Sequence, residues 1–247
     1  MQGSEIKHSL ARSARGVGRV SAIRCGSSMK TRFRDRAEAG ELLAGQLLSY
    51  ANQSDVLVLA LPRGGVPVAA EVARKLHAPL DVFGVRKLGL PGYAELAMGA
   101  IASGGVRVLN RDVVDSLRIS DEIIEAVTAR EQRELERRER SYRDDLPPRD
   151  VSGKTVILVD DGVATGSTMI AAVAALRQTE AKRIVVAAPV IAPSTYREIC
   201  DRADEVAVVI TPEDFHGVGQ WYADFSQTTD EEVHCILMQQ SHHAASQ

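Results

Sequence analysis

Between Thr155 and Leu176 an unbroken aliphatic run, TVILV, passes straight into two adjacent carboxylates, Asp160 and Asp161, then into a Gly/Thr/Ser loop, and then into an alanine-rich stretch. A strand with no polar face has none to show to water, so it belongs in a sheet covered on both sides. Continuous apolar runs recur at Val56–Leu61 and Arg183–Val190, with further strands expected at Leu80–Val85 and Glu205–Ile210. Helical patterns fall between them at Val68–Leu76, Ser167–Gln178 and Ser194–Asp201, and another precedes them at Asp35–Tyr50. Alternation of this kind predicts an α/β fold, a doubly wound parallel sheet that presents ligands at the carboxyl ends of its strands.

Two segments interrupt the rhythm. Gly84–Asn110 is glycine-rich, with Ala100–Ala102 and Val106–Leu109 expected to pair as a hairpin across Ser103-Gly104-Gly105, and the whole segment is expected to be a mobile flap. Ser120–Asp145 reads as a helix capped by Ser120, charged almost all round in its second half and stopped by Pro147-Pro148. Thr228 with Glu231 resembles a capping box opening a last helix, Asp230–Met238, followed by a polar tail over residues 239–247.

With 45% hydrophobic and 26% charged residues in 247, the chain can bury a sizeable core. Its longest charge-free stretches, Gly162–Leu176 and Ile184–Tyr196, fall short of the roughly 18 residues a spanning helix needs, so no membrane partner is expected. Cys25, Cys200 and Cys235 are too dispersed for a disulfide framework, and a cytoplasmic location is the expectation. The net charge of −3 is uneven. Residues 1–36 hold nine Lys/Arg against Glu5 and Asp35, a balance of +7, which leaves −10 for the rest. Residues 1–30 therefore read as a disordered basic extension, with targeting or polyanion binding as other uses, and residues 31–238 as the folded domain. An acidic core makes nucleic acid an unexpected partner.

The chemistry concentrates at the end of the TVILV strand. Amides of Ala164, Thr165, Gly166, Ser167 and Thr168 at a helix start, with the hydroxyls of Thr165, Ser167 and Thr168, offer donors to a phosphate. Asp160 and Asp161 would repel that phosphate, so their partners are hydroxyls or a cation beside it. A ribose 5-phosphate meets both demands. A Walker A loop is excluded by the short Gly162–Gly166 gap and the missing lysine. A dinucleotide fingerprint is excluded by the glycine spacing, and a haloacid-dehalogenase-like phosphatase by Gly162 where its second aspartate would stand.

The stretch VILVDDGVATGST resembles the phosphoribosyl-diphosphate (PRPP) binding motif of the type I phosphoribosyltransferases, and the resemblance covers about Phe33–Leu237. It implies a parallel-sheet core, a flexible loop closing over the site, a variable hood for a nitrogenous acceptor, and often a homodimer. Asp160 and Asp161 match the acidic pair that binds ribose hydroxyls, and Ala164–Thr168 the 5-phosphate loop. Leu61-Pro62-Arg63-Gly64-Gly65 is similar to the diphosphate loop, where a cis bond is expected between Arg63 and Gly64. Arg86 and Lys87 are expected to complement the diphosphate, Lys87 foremost, with Gly89–Gly105 as the closing loop. Catalytic roles fall to Asp160, Asp161 and Lys87, with Mg²⁺ arriving on the substrate and Asp160 and Asp161 as its possible protein ligands. Of only ten aromatic residues, four (Phe215, Trp221, Tyr222, Phe225) fall together after the last core strand, and Trp221 and Tyr222 are the expected acceptor-hood residues. The resemblance also admits a PRPP-sensing regulator with little turnover.

Overall fold

The computed structural model describes residues 21–22, 32–144 and 146–244. The expectation of a disordered extension therefore lies outside the described residues, apart from Ser21–Ala22, which form a short edge strand. In chain order the strands are β1 (Ser21–Ala22), β2 (Val56–Ala60), β3 (Leu80–Val82), β4 (Val85–Leu90), β5 (Tyr93–Ala102), β6 (Val106–Leu109), β7 (Thr155–Val159), β8 (Arg183–Val190) and β9 (Glu205–Ile210). The helices are α1 (Arg36–Gln46), α2 (Gly65–Leu76), α3 (Arg111–Ser116), α4 (Asp121–Arg143), α5 (Ser167–Leu176), α6 (Pro193–Cys200) and α7 (Asp230–Ala244).

The main sheet runs β1-β9-β8-β7-β2-β3, parallel throughout. Every residue of β2 and β7 is buried, as their apolar runs require. Alternate residues feed opposite faces. Val56, Val58 and Ala60 meet Leu43, Val68, Val72 and Leu76 of α1 and α2, while Leu57 and Leu59 meet Met169, Val173 and Leu176 of α5. From β2 the chain winds outward to β3, and from β7 it winds the other way through β8 to β9. The crevice between the carboxyl ends of β2 and β7 is thus the topological switch point, where this architecture places ligands. Among the described residues no helix is long and apolar enough to cross a membrane.

The expected single strand Leu80–Val85 is broken: β3 stops at Val82 and the chain turns at Gly84, whose N–H donates to Ser103 Oγ (2.7 Å). It then enters a three-stranded antiparallel sheet, β4-β5-β6. The pairing of Ala102 with Val106 and of Gly99 with Leu109 matches the expected hairpin. The flap expected over all of Gly84–Asn110 is not what forms. Leu88, Met98 and Ile101 bury against Val114, Ile124, Val127 and Leu135 of α3 and α4, so glycine content masked a second apolar core. The tip around Pro91-Gly92 stands clear, with Tyr93 71% exposed.

This arm is fastened where it leaves and returns. Arg143 at the end of α4 donates from Nε to Asp81 Oδ1 (2.7 Å) and from Nη2 to the Val82 carbonyl (2.6 Å). Both charged side chains are buried, and the Arg149 N–H satisfies Asp81 Oδ2 at 2.9 Å. Smaller differences are local. Ser120 makes no side-chain cap bond, and Thr229 with Glu232, rather than Thr228 with Glu231, forms the reciprocal cap of α7. That helix continues through residues expected to be a polar tail, because glutamines are good helix formers and no breaker follows Met238.

Candidate active site

Asp160 and Asp161 sit immediately beyond β7, at the switch point. Asp160 Oδ1 accepts the Asp161 N–H (2.8 Å), and the Asp160 N–H donates to the Ala187 carbonyl (3.2 Å). Burial pushes both carboxyls above the ordinary range, and the neighbouring charge of Asp161 adds to the effect at Asp160. At Asp161 a guanidinium opposes the shift. Arg36, the first residue of α1, brings Nε and Nη2 each to 2.8 Å from Asp161 Oδ2. Its Nη1 donates to the Ser226 carbonyl (2.7 Å), and its guanidinium carbon lies 4.2 Å from the centroid of the Phe225 ring.

Arg36 was not among the residues expected at the site. Its signal in the sequence is a cation at the first position of a helix, where the macrodipole disfavours positive charge, with Asp35 in the capping position before it. Such a placement needs a compensating partner, and Asp161 is that partner.

The Pro62–Gly65 loop closes onto the acidic pair from β2. A Cβ built on Gly64 would lie 2.0 Å from Asp161 Oδ2, and one on Gly65 would lie 2.8 Å from the Val159 carbonyl oxygen. Glycine is needed here for close approach, not for unusual dihedrals, since Gly64 has φ −59° and ψ −30°. The cis peptide joins Pro62 to Arg63, one residue ahead of the expected Arg63–Gly64 bond. The amides of Gly65 and Val66 donate within the turn, whereas those of Arg63 and Gly64 have no acceptor among the described residues. The Arg63 side chain leans towards α7, with Nη1 3.7 Å from Asp230 Oδ1, which also accepts the Tyr142 hydroxyl (3.1 Å).

The Ala164–Thr168 segment forms the turn into α5. Gly166 takes a left-handed conformation (φ +74°), and the Ala164 carbonyl accepts the Thr195 hydroxyl at 2.5 Å. Thr165, Ser167 and Thr168 are exposed, with Thr165 Oγ1 and Ser167 Oγ 3.1 Å apart. Helix geometry leaves the first-turn amides without helical acceptors, so exposed hydroxyls and N–H groups converge at one helix start.

Arg86 and Lys87 lie on opposite faces of β4, not together at a strand end. Arg86 lines a cavity of about 60 Å³ with Pro62 and Thr168, but its Nε is paired with Glu131 Oε2 at 2.6 Å. Lys87 is exposed, makes no ion pair among the described residues, and shares its face with Val85, which packs against the α5 cluster.

Tyr222 does not offer a free face for stacking. Tyr222 is 3% exposed: its ring packs on Phe33 and its hydroxyl donates to the Asp161 carbonyl (2.5 Å). Tyr222 is held there because segments 32–34 and 221–224 hydrogen-bond to each other through Phe33–Trp221, Ala223–Phe33 and Asp224–Arg34 backbone contacts. Burial raises the Tyr222 hydroxyl well above its ordinary pKa. Trp221 is half-buried, with a buried indole N–H that lacks a protein acceptor among the described residues. Val218, in the turn before it, packs over Gly162, the residue that follows the acidic pair, since a Cβ there would lie 2.4 Å from Val218 Cγ1.

These segments fall inside a match to the phosphoribosyl transferase domain family model, which spans residues 33–225. A Mycobacterium tuberculosis H37Rv protein named provisionally as a phosphoribosyl transferase is 44% identical over 205 residues, or 83% of this chain and 46% of the relative. The chain thus spans about half the length of the curated relatives it matches. A shorter match, 42% identical over 64 residues and 25% of this chain, is to ribose-phosphate pyrophosphokinase of Thermococcus kodakarensis, of which it covers 23%. The crystal structure of TT1426 from Thermus thermophilus superposes with a TM-score of 0.75 at 44% identity, over 85% of this chain and 99% of that one. With the family model matched across the carboxyl-edge loops and the sheet that carries them, the chain belongs to the phosphoribosyl transferase family.

Proposed function

We propose that the protein is a Mg²⁺-dependent phosphoribosyltransferase that transfers the phosphoribosyl group of PRPP to a nitrogenous, nucleobase-like acceptor and releases diphosphate. The observation that carries this reading is the meeting of Gly64 with Asp161 at the β2/β7 crevice, beside a helix start that offers hydroxyls and amides. In this reading the α5 turn holds the 5-phosphate, Asp160 and Asp161 take the ribose hydroxyls, and the unpartnered amides of Arg63 and Gly64 receive the diphosphate.

The donor set fits a hard divalent cation. Two adjacent carboxylates are held in a buried setting that disfavours their ionised forms, which a cation would reverse. No cluster of three or more His, Cys, Asp or Glu able to hold a metal occurs among the described residues, so Asp160 and Asp161 would share the ion with substrate oxygens. When bound, Mg²⁺ supplies charge neutralisation at the departing diphosphate. The chain's own contribution is to orient the ribose through the carboxylates and to donate N–H groups to the leaving group. A carboxylate under the sugar also stabilises positive charge developing at ribose C1.

The burial of Tyr222 favours a second reading, a PRPP-sensing regulator, because it removes an expected acceptor contact. Incubation with PRPP, Mg²⁺ and a panel of bases, following diphosphate release, separates the two. Base-dependent release supports the transferase, and PRPP-dependent thermal stabilisation without release supports the sensor. Stabilisation that persists in the Asp160→Asn, Asp161→Asn double variant refutes the ribose assignment in both.

A further inference from the structure

Arg36 is unusual in what it touches: a helix start, the acidic pair, the diphosphate-loop glycine and the aromatic segment after β9. Two of its nitrogens converge on one oxygen of Asp161, and Asp161 Oδ1 keeps no partner among the described residues. A third nitrogen grips the Ser226 carbonyl, and the guanidinium face lies on Phe225, with the Tyr222 ring 5.9 Å away. The Arg36 and Asp161 side chains are only 12% and 13% exposed, so neither is free to leave the other without stranding a charge. A Cβ on Gly64 would lie 3.3 Å from Arg36 Nη2, which puts the same guanidinium against the diphosphate loop.

We propose that Arg36 is the positioning residue of this site: it fixes Asp161 through Oδ2 while leaving Oδ1 for the ligand, and it ties that carboxylate to the Tyr222–Ser226 segment so that the two respond to ligand as one unit. This rests on the reading of Asp161 as a ribose contact. The planar fork is essential, because a lysine ammonium is a single point that reaches either Asp161 or the Ser226 carbonyl. Stacking on Phe225 fixes the plane of the fork. Ligand drawing on Asp161 is therefore transmitted through Arg36 to a segment that begins directly after Trp221, the one tryptophan of the chain.

That tryptophan makes the coupling measurable. Mg²⁺–PRPP is titrated into the full chain, with calorimetry reading affinity and Trp221 emission reading the aromatic segment. Absence of binding by the wild-type chain refutes the PRPP reading itself and with it this proposal. Given wild-type binding, Arg36→Met is expected to weaken it at least about tenfold, the scale of a lost charged hydrogen bond. Its Trp221 response is expected to vanish even at saturating ligand. Arg36→Lys, which retains the charge, should recover part of the affinity but not the emission change. Phe225→Leu, which leaves the Arg36–Asp161 bonds in place, should lose more of the emission change than of the affinity. Folded Arg36→Met with affinity within about twofold of wild type overturns the proposal. Should Arg36→Met fail to fold, a wild-type emission change in Arg36→Lys overturns it, and loss of that change supports it.

Discussion

The contact between Gly64 and Asp161 gives a sharp test of how the site is assembled. In Gly64→Ala the new Cβ would fall 2.0 Å from Asp161 Oδ2 and 2.7 Å from its Cγ, well inside van der Waals contact. The carboxylate has little room to retreat, because Arg36 holds that same oxygen by two nitrogens at 2.8 Å. Backbone strain is not part of the effect, since φ −59° and ψ −30° suit alanine. The overlap therefore costs about 1–3 kcal/mol, the usual range for forced overpacking. The assay is a double-mutant cycle by urea denaturation with Asp161→Ala as the second change. Removing the carboxyl leaves the new methyl with Arg36 Nη2 at 3.3 Å as its next neighbour, a contact that a small shift relieves. In the Asp161→Ala background Gly64→Ala should consequently cost near zero, and the coupling should equal most of the single-variant loss. Equal costs in the two backgrounds, or an unchanged midpoint for Gly64→Ala alone, would refute the claimed juxtaposition.

Three further outcomes are expected. Asp160 has its carboxyl raised by burial and by Asp161, so the folded state holds its proton more tightly than the unfolded chain. The resulting stability is full below the unfolded value of 3.8 and is lost as pH rises through the raised folded value, so Asp160→Asn should gain stability over wild type progressively as pH rises above 3.8 in metal-free urea melts. A difference that shrinks with rising pH would contradict the burial. Gly166→Ala combines φ +74° with a Cβ 2.5 Å from Thr195 Cγ2, and a loss of about 1 kcal/mol or more in denaturation, with weakened PRPP stabilisation, is the expected result. Deleting residues 1–28 removes only the two-residue edge strand β1 from the described sheet, and PRPP-dependent stabilisation should survive it.

Much of this molecule is legible in the sequence because its central strands are buried on both faces. Val56–Ala60 and Thr155–Val159 read as strands without ambiguity, and the acidic pair follows from where the second of them ends. The arm was legible only in part. Leu88, Met98 and Ile101 are separated by glycines and polar residues, so their common core emerges only when β4 and β5 pair and α4 covers them. The aromatic cluster misled for a related reason. Composition marks Tyr222 as noteworthy, but only the pairing with Phe33, far away in the chain, decides that its ring is buried. Arg36 and Asp161 likewise meet across 125 residues, and no local pattern encodes which partner Arg36 takes.

The Arg143–Asp81 ion pair has a consequence for how the fold tolerates change. Because the arm departs at Gly84, directly after β3, and Arg143 at its other end bonds to Asp81 and Val82 of that same short strand, residues 84–143 behave as an insertion with adjoining termini. An insertion anchored in this way transmits little length or direction to its host. The outer part of the arm, around Pro91-Gly92, can therefore change length while β2 and β7 keep their register, whereas Val85, Val106 and Val108, which pack against the α5 cluster, tie the base of the arm to the host sheet.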